Sequence, residues 1–374
     1  MNILGVNPSH HGSVCLLQDG KIKYFIQEER LTREKYQNIP LRSFIDILSN
    51  YDIDYVTWGT PSIKYSLRDE TRNIWSLISK SIRNKNTKIF DFSDQHHKIH
   101  AASAFYNSGF NYAISIVIDG MGSNINGLGC ETETIFECGS PYYFDDLFKN
   151  LHLYAEEDIT LSRAYEATTM HLGWDVNEAG KTMGLSSYGK ENKNLPPFIK
   201  DIKGNPDVFT MDSSKSSTTT NFLGKVFMNE KQSPQLKLQI NPKEWHHNES
   251  KITSLEKDIA WKIQNETQEL VGNYVEKVVT KYKENHLGKA PQICCAGGYF
   301  LNCVTNYYLV KRFPKVKFYF EPIANDAGTS IGAAKLLWHK LTDNTKKSPL
   351  KSLYLGKQYS KEQLLEGIKK YVDN

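Results

Sequence analysis

Two stretches of this 374-residue chain run through the same order of elements. Residues 3–27 and 113–139 each give an apolar strand, a turn rich in Gly, Ser or His, a second strand, a tight turn and a third strand. Identity between them is low, but the order is shared, and an echo of this kind is the signature of a duplicated unit. If two similar α/β halves face a common cleft, both first turns lie at that cleft, where strand ends meet ligand. The expected fold class is therefore α/β, duplicated and two-lobed around a central cleft.

The remaining pattern fills in this frame. A β-meander is predicted over 3–6, 13–17 and 21–27, with Asp19-Gly20 as its hairpin signal. Helices follow over 40–50 and 65–83, strands over 55–58 and 89–92, and a helix opening at the histidines, with Asp94 as N-cap. The second half starts with strands 112–118, 127–131 and 134–137. Residues 192–254 are polar and Ser/Thr/Lys/Asn-rich, and read as loops and insertions over a substrate side, not as a separate domain. A long amphipathic helix over 254–285, strand 292–296, helix 299–311, strand 316–320 and helix 328–341 complete that half. The expected division is a first lobe at 1–110, a second at 111–345, and a connector or docking tail at 346–374 with a short helix over 361–371.

Composition removes several classes of function. Hydrophobic content of 39% and charged content of 24% are those of a soluble globular protein. The net charge of +4 is small and its basic residues are dispersed, which argues against a nucleic-acid partner. No apolar run approaches the roughly 20 residues of a membrane span, and residues 1–6 lack the regions of a signal peptide. Cys294 and Cys295 fall in a predicted buried strand, so the six cysteines read as apolar packing in a reducing, cytoplasmic setting.

Four constellations carry chemistry. In Asp94-Gln-His-His-Lys-Ile-His100, a helix brings His96 and His100 onto one face, a metal pincer that needs a third ligand from elsewhere. Asp326, in the glycine-flanked Ala324-Asn-Asp-Ala-Gly-Thr-Ser330, is the best candidate; packing histidines are the plainer alternative. Asp119-Gly-Met-Gly122 follows an apolar strand, so its amides can approach phosphate and its carboxylate can hold a divalent ion such as magnesium. Cys295-Ala-Gly-Gly-Tyr-Phe-Leu-Asn302 lets a flat ligand lie against Gly297 and Gly298, with close strand–helix packing as the alternative. Residues 178–190 lack regular periodicity and the Walker spacing, and Lys181 there reaches either phosphate or solvent. His10 sits at the first turn as a candidate general base, and the charged run Glu28–Lys35 follows the third strand.

In this order, the chain resembles the carbamoyltransferases of the nodulation-factor and antibiotic-tailoring type. The resemblance is carried by Leu4-Gly-Val with His10, Glu28-Glu-Arg-Leu-Thr-Arg-Glu-Lys35, His96-His-Lys-Ile-His-Ala-Ala-Ser-Ala104, Asp119-Gly, Gly180-Lys-Thr-Met-Gly-Leu with Tyr188-Gly, Gly297-Gly with Leu301-Asn-Cys-Val-Thr-Asn306, and 324–334. It implies an actin-like two-lobed fold of the sugar kinase, chaperone and actin superfamily, related to the tRNA threonylcarbamoyl transferases. It further implies transfer of a carbamoyl group from carbamoyl-adenylate, made with ATP, to a hydroxyl of a small acceptor. On that resemblance, His96, His100 and Asp326 hold iron(II), although zinc suits the same ligands. His10 is then the base, and Lys35 meets carbamoyl or phosphate oxygens. Lys181, Asp119, Gly120, Gly297, Gly298 and Asn302 serve the nucleotide.

Two departures qualify the resemblance. Relatives carry a YrdC-like domain that makes the adenylate from carbamoyl phosphate and ATP, whereas this chain stops soon after the connector-like 352–360, implying either a separate YrdC-like partner or a truncated product. His11 stands where relatives usually have an aspartate. Competing expectations are tRNA threonylcarbamoylation, a nucleotide-binding regulatory module without turnover, and a sugar kinase, which would not need the histidine pair.

Overall fold

The computed structural model describes residues 1–60, 80, 82–125, 129–152, 160–195, 198–201, 227–228, 236–238 and 252–372. Its longer helices are α1 (Leu41–Asn50), α2 (His96–Ser108), α3 (Leu161–His171), α4 (Ala179–Ser186), α5 (Ser254–Asn285), α6 (Cys303–Arg312), α7 (Thr329–Thr342) and α8 (Lys361–Val372).

The apolar runs of β1 (Asn2–Asn7) and β2 (Ser13–Gln18) are buried along nearly their whole length, as strands covered on both faces must be. They pair antiparallel, and β3 (Lys21–Gln27) joins β2 through Asp19 and Gly20, both left-handed as a two-residue hairpin of this hand requires. β4 (Tyr55–Trp58) and β5 (Lys88–Asp91) add in parallel on the other side, giving the order β3-β2-β1-β4-β5. The second sheet repeats this plan. β6 (Tyr112–Ile118), β7 (Cys130–Gly139) and β8 (Tyr143–His152) form the meander, and β9 (Gln292–Ala296) and β10 (Lys317–Phe320) extend it in parallel beyond β6. Phe227–Met228 adds to the outer edge of β8. The sequence echo is thus a duplication of topology, and the chain has the two-lobed α/β fold expected of it.

Two helices interlock the lobes. α2 follows the last strand of the first sheet yet packs on β6, β7 and β9, while α7 follows the second sheet and packs on β1, β2 and β4. The two helices also pack on each other, so Ile3, Leu17, Ile99, Phe105, Cys294, Ile331 and Leu337 belong to one core. Eleven of the 13 residues of α2 are buried, so it shows little apolar periodicity; a helix covered on all sides needs none. The α2–α7 approach is set by Gly332, where a Cβ would lie 2.1 Å from the carbonyl oxygen of Ile99.

Several expectations need correction. Cys130 and Glu131, from the strand expected over 127–131, belong with the strand expected over 134–137 to one strand, β7, whose register is broken beside Glu131. Strand β8 was not expected, because its inward Lys149 and Asn150 are polar; they are buried against Glu131 and Glu133. Asp94 is not an N-cap: it lies in a 3-10 turn, Ser93–Gln95, and α2 begins at His96. The helix expected over 299–311 breaks at Asn302, whose side chain caps α6 by accepting from the Thr305 amide at 3.0 Å. Residues 178–190, read as irregular, contain α4. Most of the helix expected over 65–83, Gly127 and most of the 192–254 insertion lie outside the described residues. After Asn344 the chain runs along the first lobe, with Leu350 N–H donating to Asn107 and Leu355 accepting from Phe25, before α8. Cys15, Cys130, Cys138, Cys294 and Cys295 are buried free thiols, and Cys303 is exposed. Among the described residues, no helix is long and apolar enough to cross a membrane.

Candidate metal centre and its cleft

The interlocked helices bring four ionisable side chains to one point. His96 and His100 lie one turn apart on α2, and their Nε2 atoms face each other at 3.2 Å. Nδ1 of His96 donates to the carbonyl oxygen of Gly59 at 2.7 Å, because a carbonyl can only accept; Nε2 is thereby the atom turned inward, as a donor when the ring is charged and with its lone pair when a metal displaces that proton. Asp326, in the turn that leads into α7, places Oδ1 3.5 Å from His96 Nε2 and 3.4 Å from His100 Nε2. Asp119, at the end of β6, brings Oδ2 to 3.6 and 3.9 Å from the same two nitrogens. One ligand atom from each of the four falls within 4.8 Å of the others, and all four residues are buried.

Charge explains why such a group does not simply repel itself. Burial works against both carboxylates, but the facing histidines outweigh it and hold Asp326 and Asp119 well below the usual carboxylate range. Burial equally opposes charge on His96, yet Asp326 and Asp119 prevail and raise it well above an ordinary histidine. Two imidazoles and two carboxylates suit a borderline divalent cation such as iron(II) or zinc. The outer oxygens are also engaged: Asp119 Oδ1 accepts from the Gly298 amide at 2.9 Å, and Asp326 Oδ2 accepts from Ser9 Oγ at 3.1 Å.

Beside this group opens a cavity of about 460 Å³, between the first turn of lobe one and the α3–α4 face of lobe two. His10, Asp119, Gly120, Gly298, Asn302 and Asp326, all named from sequence, line it. His10 is half-exposed, with Nε2 3.5 Å from Asp326 Oδ2. Gly297 is buried behind the wall, its amide donating to Ala324. Asn302 turns its polar atoms to Gln264 and the Thr305 amide. Lys35 is exposed in the turn whose neighbour Tyr36 donates to the Asn177 carbonyl oxygen, and it is not among the lining residues. Lys181 pairs with Glu178 at 2.8 Å, also off the lining.

Three features escaped the sequence reading. Asp119 joins the histidines as a fourth ligand-competent group, which becomes visible only once α2 is known to pack on the second sheet. Arg163 and Glu166 line the cavity, paired at 3.2 Å on α3, and no glycine motif marks them. Burial pushes the Glu166 carboxyl up, with Arg163 opposing. The third feature is a buried ion pair behind the centre, Glu131 with Lys149 at 2.6 Å. Burial opposes the charge of Glu131, but Lys149 and then His97 outweigh it and bring its pKa from 4.5 to about 2.

A group depressed in this way stabilises the fold fully above its ordinary value, and the contribution drains away as pH falls from 4.5 toward 2. Its size is on the order of 3 kcal/mol. Urea unfolding of wild type and Glu131→Gln over that range is expected to give curves whose separation shrinks as the solution is acidified. Parallel curves would count against the ionised pair.

The family relation agrees with this site. A carbamoyltransferase N-terminus model matches residues 64–335. An uncharacterised protein of Synechocystis sp. is 28% identical over 97% of this chain and 62% of its own length. The nodulation protein NolNO of Sinorhizobium fredii is 24% identical over 96% of this chain and 50% of its own length. The chain therefore spans about half to three fifths of these curated relatives. Full-length HypF in its phosphate- and nucleotide-bound form is a structural neighbour at TM-score 0.48 and 12% identity, covering 93% of this chain and 56% of that one. With most of its length matched by the family model, and the histidine pair and Asp326 inside the matched span, this chain belongs to the carbamoyltransferase family and carries its N-terminal domain.

Proposed function

We propose that the chain is the transfer module of an O-carbamoyltransferase, passing a carbamoyl group from carbamoyl-adenylate to a hydroxyl of a small acceptor. The observation that carries this reading is a buried group of two histidines and two carboxylates on the wall of a cavity large enough for a nucleotide. His96, His100, Asp119 and Asp326 would hold iron(II), with zinc as the alternative. Bound there, such an ion supplies a fixed positive charge for phosphate oxygens.

The chain's own groups do the rest. The Gly120 and Gly298 backbone leaves room for close approach of the nucleotide, and Glu166 and Arg163 offer an acceptor and a donor to its hydroxyls and phosphate. His10, exposed to the cavity and oriented by Asp326, takes the acceptor's proton as its oxygen attacks the carbamoyl carbon. A new carbamate C–O bond forms, the mixed-anhydride C–O bond to phosphate breaks, and AMP leaves with the electron pair. Lys35 and Lys181, both exposed and off the cavity lining, would have to swing inward to serve as cationic partners for a bound anion. Formation of the adenylate from carbamoyl phosphate, ATP and magnesium is assigned to a YrdC-like partner.

The test supplies preformed carbamoyl-adenylate with a panel of hydroxyl acceptors and follows AMP release and carbamate by mass spectrometry. Acceptor-dependent release is expected, with His10→Ala lowering kcat by about 10²- to 10⁴-fold, the range of general base catalysis. Tight adenylate binding without transfer to any acceptor would favour a binding module instead.

A further inference from the structure

The metal-ligating helix has no cap of its own. Gln95, its N-cap residue, makes no side-chain capping bond, and the first amides of a buried helix must still find acceptors. They find them in the other lobe. The His96 amide donates to Ser123 Oγ at 2.9 Å, and the His97 amide to Glu131 Oε2 at 3.3 Å. That same Oε2 accepts from the Ser123 amide at 3.2 Å, while Oε1 accepts from Lys149 Nζ. The Ser123 carbonyl oxygen accepts from Glu131 N–H at 3.0 Å, and Gly122 N–H donates to the Glu131 carbonyl oxygen at 2.7 Å. The segment so zipped together is the one that begins at Asp119. One carboxylate, 1% exposed, therefore bonds both the helix that carries His96 and His100 and the turn that follows Asp119. A negative charge there also complements the helix dipole.

We propose that Glu131, braced by Lys149, is a positioning residue that holds the histidine helix and the Asp119 turn in register across the two lobes. It touches no reacting atom; it acts through the positions of His96 and Asp119. The inference rests on the metal reading for its spectroscopic test, and on the hydrogen bonds alone for its second test.

The principal variant is Glu131→Ala combined with Lys149→Met, which leaves no buried charge unpaired. Titrated with cobalt(II), the full chain is expected to show d–d bands from its imidazole and carboxylate ligands. The double variant is expected to bind cobalt(II) 10- to 100-fold more weakly, the usual loss for an outer-shell partner, with shifted bands. Glu131→Gln in the same Lys149→Met background, which keeps an acceptor without stranding a buried cation, is expected to recover most of the affinity. Val275→Ala, a core truncation on α5, is expected to lower stability and leave the bands unchanged. An unaltered cobalt spectrum in the double variant, or a loss that Glu131→Gln does not restore, overturns the proposal. If wild type itself takes no cobalt(II), the metal reading fails separately, and amide hydrogen exchange at His97 in the metal-free protein decides. Faster exchange in the double variant supports the anchor; unchanged exchange overturns it.

Discussion

Asp326→Ala is expected to prevent the proposed binding of a divalent ion and to abolish the proposed carbamoyl transfer, while leaving a folded chain. Asp326 Oδ1 lies 3.5 Å from His96 Nε2 and 3.4 Å from His100 Nε2, nearer to both than Asp119 Oδ2. Its removal should therefore cost more affinity than the 10- to 100-fold typical of an outer-shell partner. Stability should fall as well. Without an ion, the facing histidines hold Asp326 ionised and Asp326 in turn raises His96, so deleting this carboxylate removes a buried partner from both. Anaerobic metal analysis with circular dichroism checks both halves: metal-free and folded is the expected outcome. Full metal content in the variant would remove Asp326 from the ligand set.

Gly332→Ala should have a large effect although the residue does not line the cleft. The added methyl would meet the Ile99 carbonyl oxygen at 2.1 Å, a backbone atom that no rotamer change can move aside. Overpacking of this kind costs about 1–3 kcal/mol, and a backbone clash lies at the upper end. Ile99 stands between His96 and His100, and Asp326 leads into α7, so separating the helices also separates the ligands. A large drop in Tm together with weakened metal binding is expected. Gly367→Ala on α8, where a Cβ meets nothing within 4 Å, is the control and is expected to be neutral or slightly stabilising. Equal melting of the two variants would mean that α2 and α7 are not packed as described.

The residues that could be read from sequence are those whose geometry is local. His96 and His100 are a turn apart on any helix, and Asp19-Gly20 makes a hairpin wherever two strands flank it. The duplication was legible for a related reason: apolar runs separated by similar turns recur in the same order at 3–27 and 113–139. Asp119 as a fourth ligand was not legible, because its distance to the histidines depends on α2 crossing to the second sheet. Strand β8 was hidden because Lys149 and Asn150 are buried through pairing, which composition reads as exposure. Asn302 was misplaced in mid-helix for want of any sign that Gly298–Leu301 forms a separate 3-10 turn.

The same logic separates the two kinds of site residue named at the outset. Those fixed by strand ends and helix turns, namely His10, Asp119, Gly298 and Asp326, meet at the cavity. Lys35 and Lys181, assigned through charge in exposed segments, lie off its lining, and Lys181 already has Glu178 for a partner. Long flexible cations near a cleft are placed by their ligand as much as by their backbone.

X-ray absorption at the iron edge of anaerobically loaded protein bears most directly on the shared site. One ion per chain, with the scattering of two imidazoles and the remaining near neighbours oxygen, is expected. A spectrum without imidazole scattering, or an ion bound equally well when His100 is replaced by alanine, would contradict a centre built from α2, the end of β6 and the turn before α7.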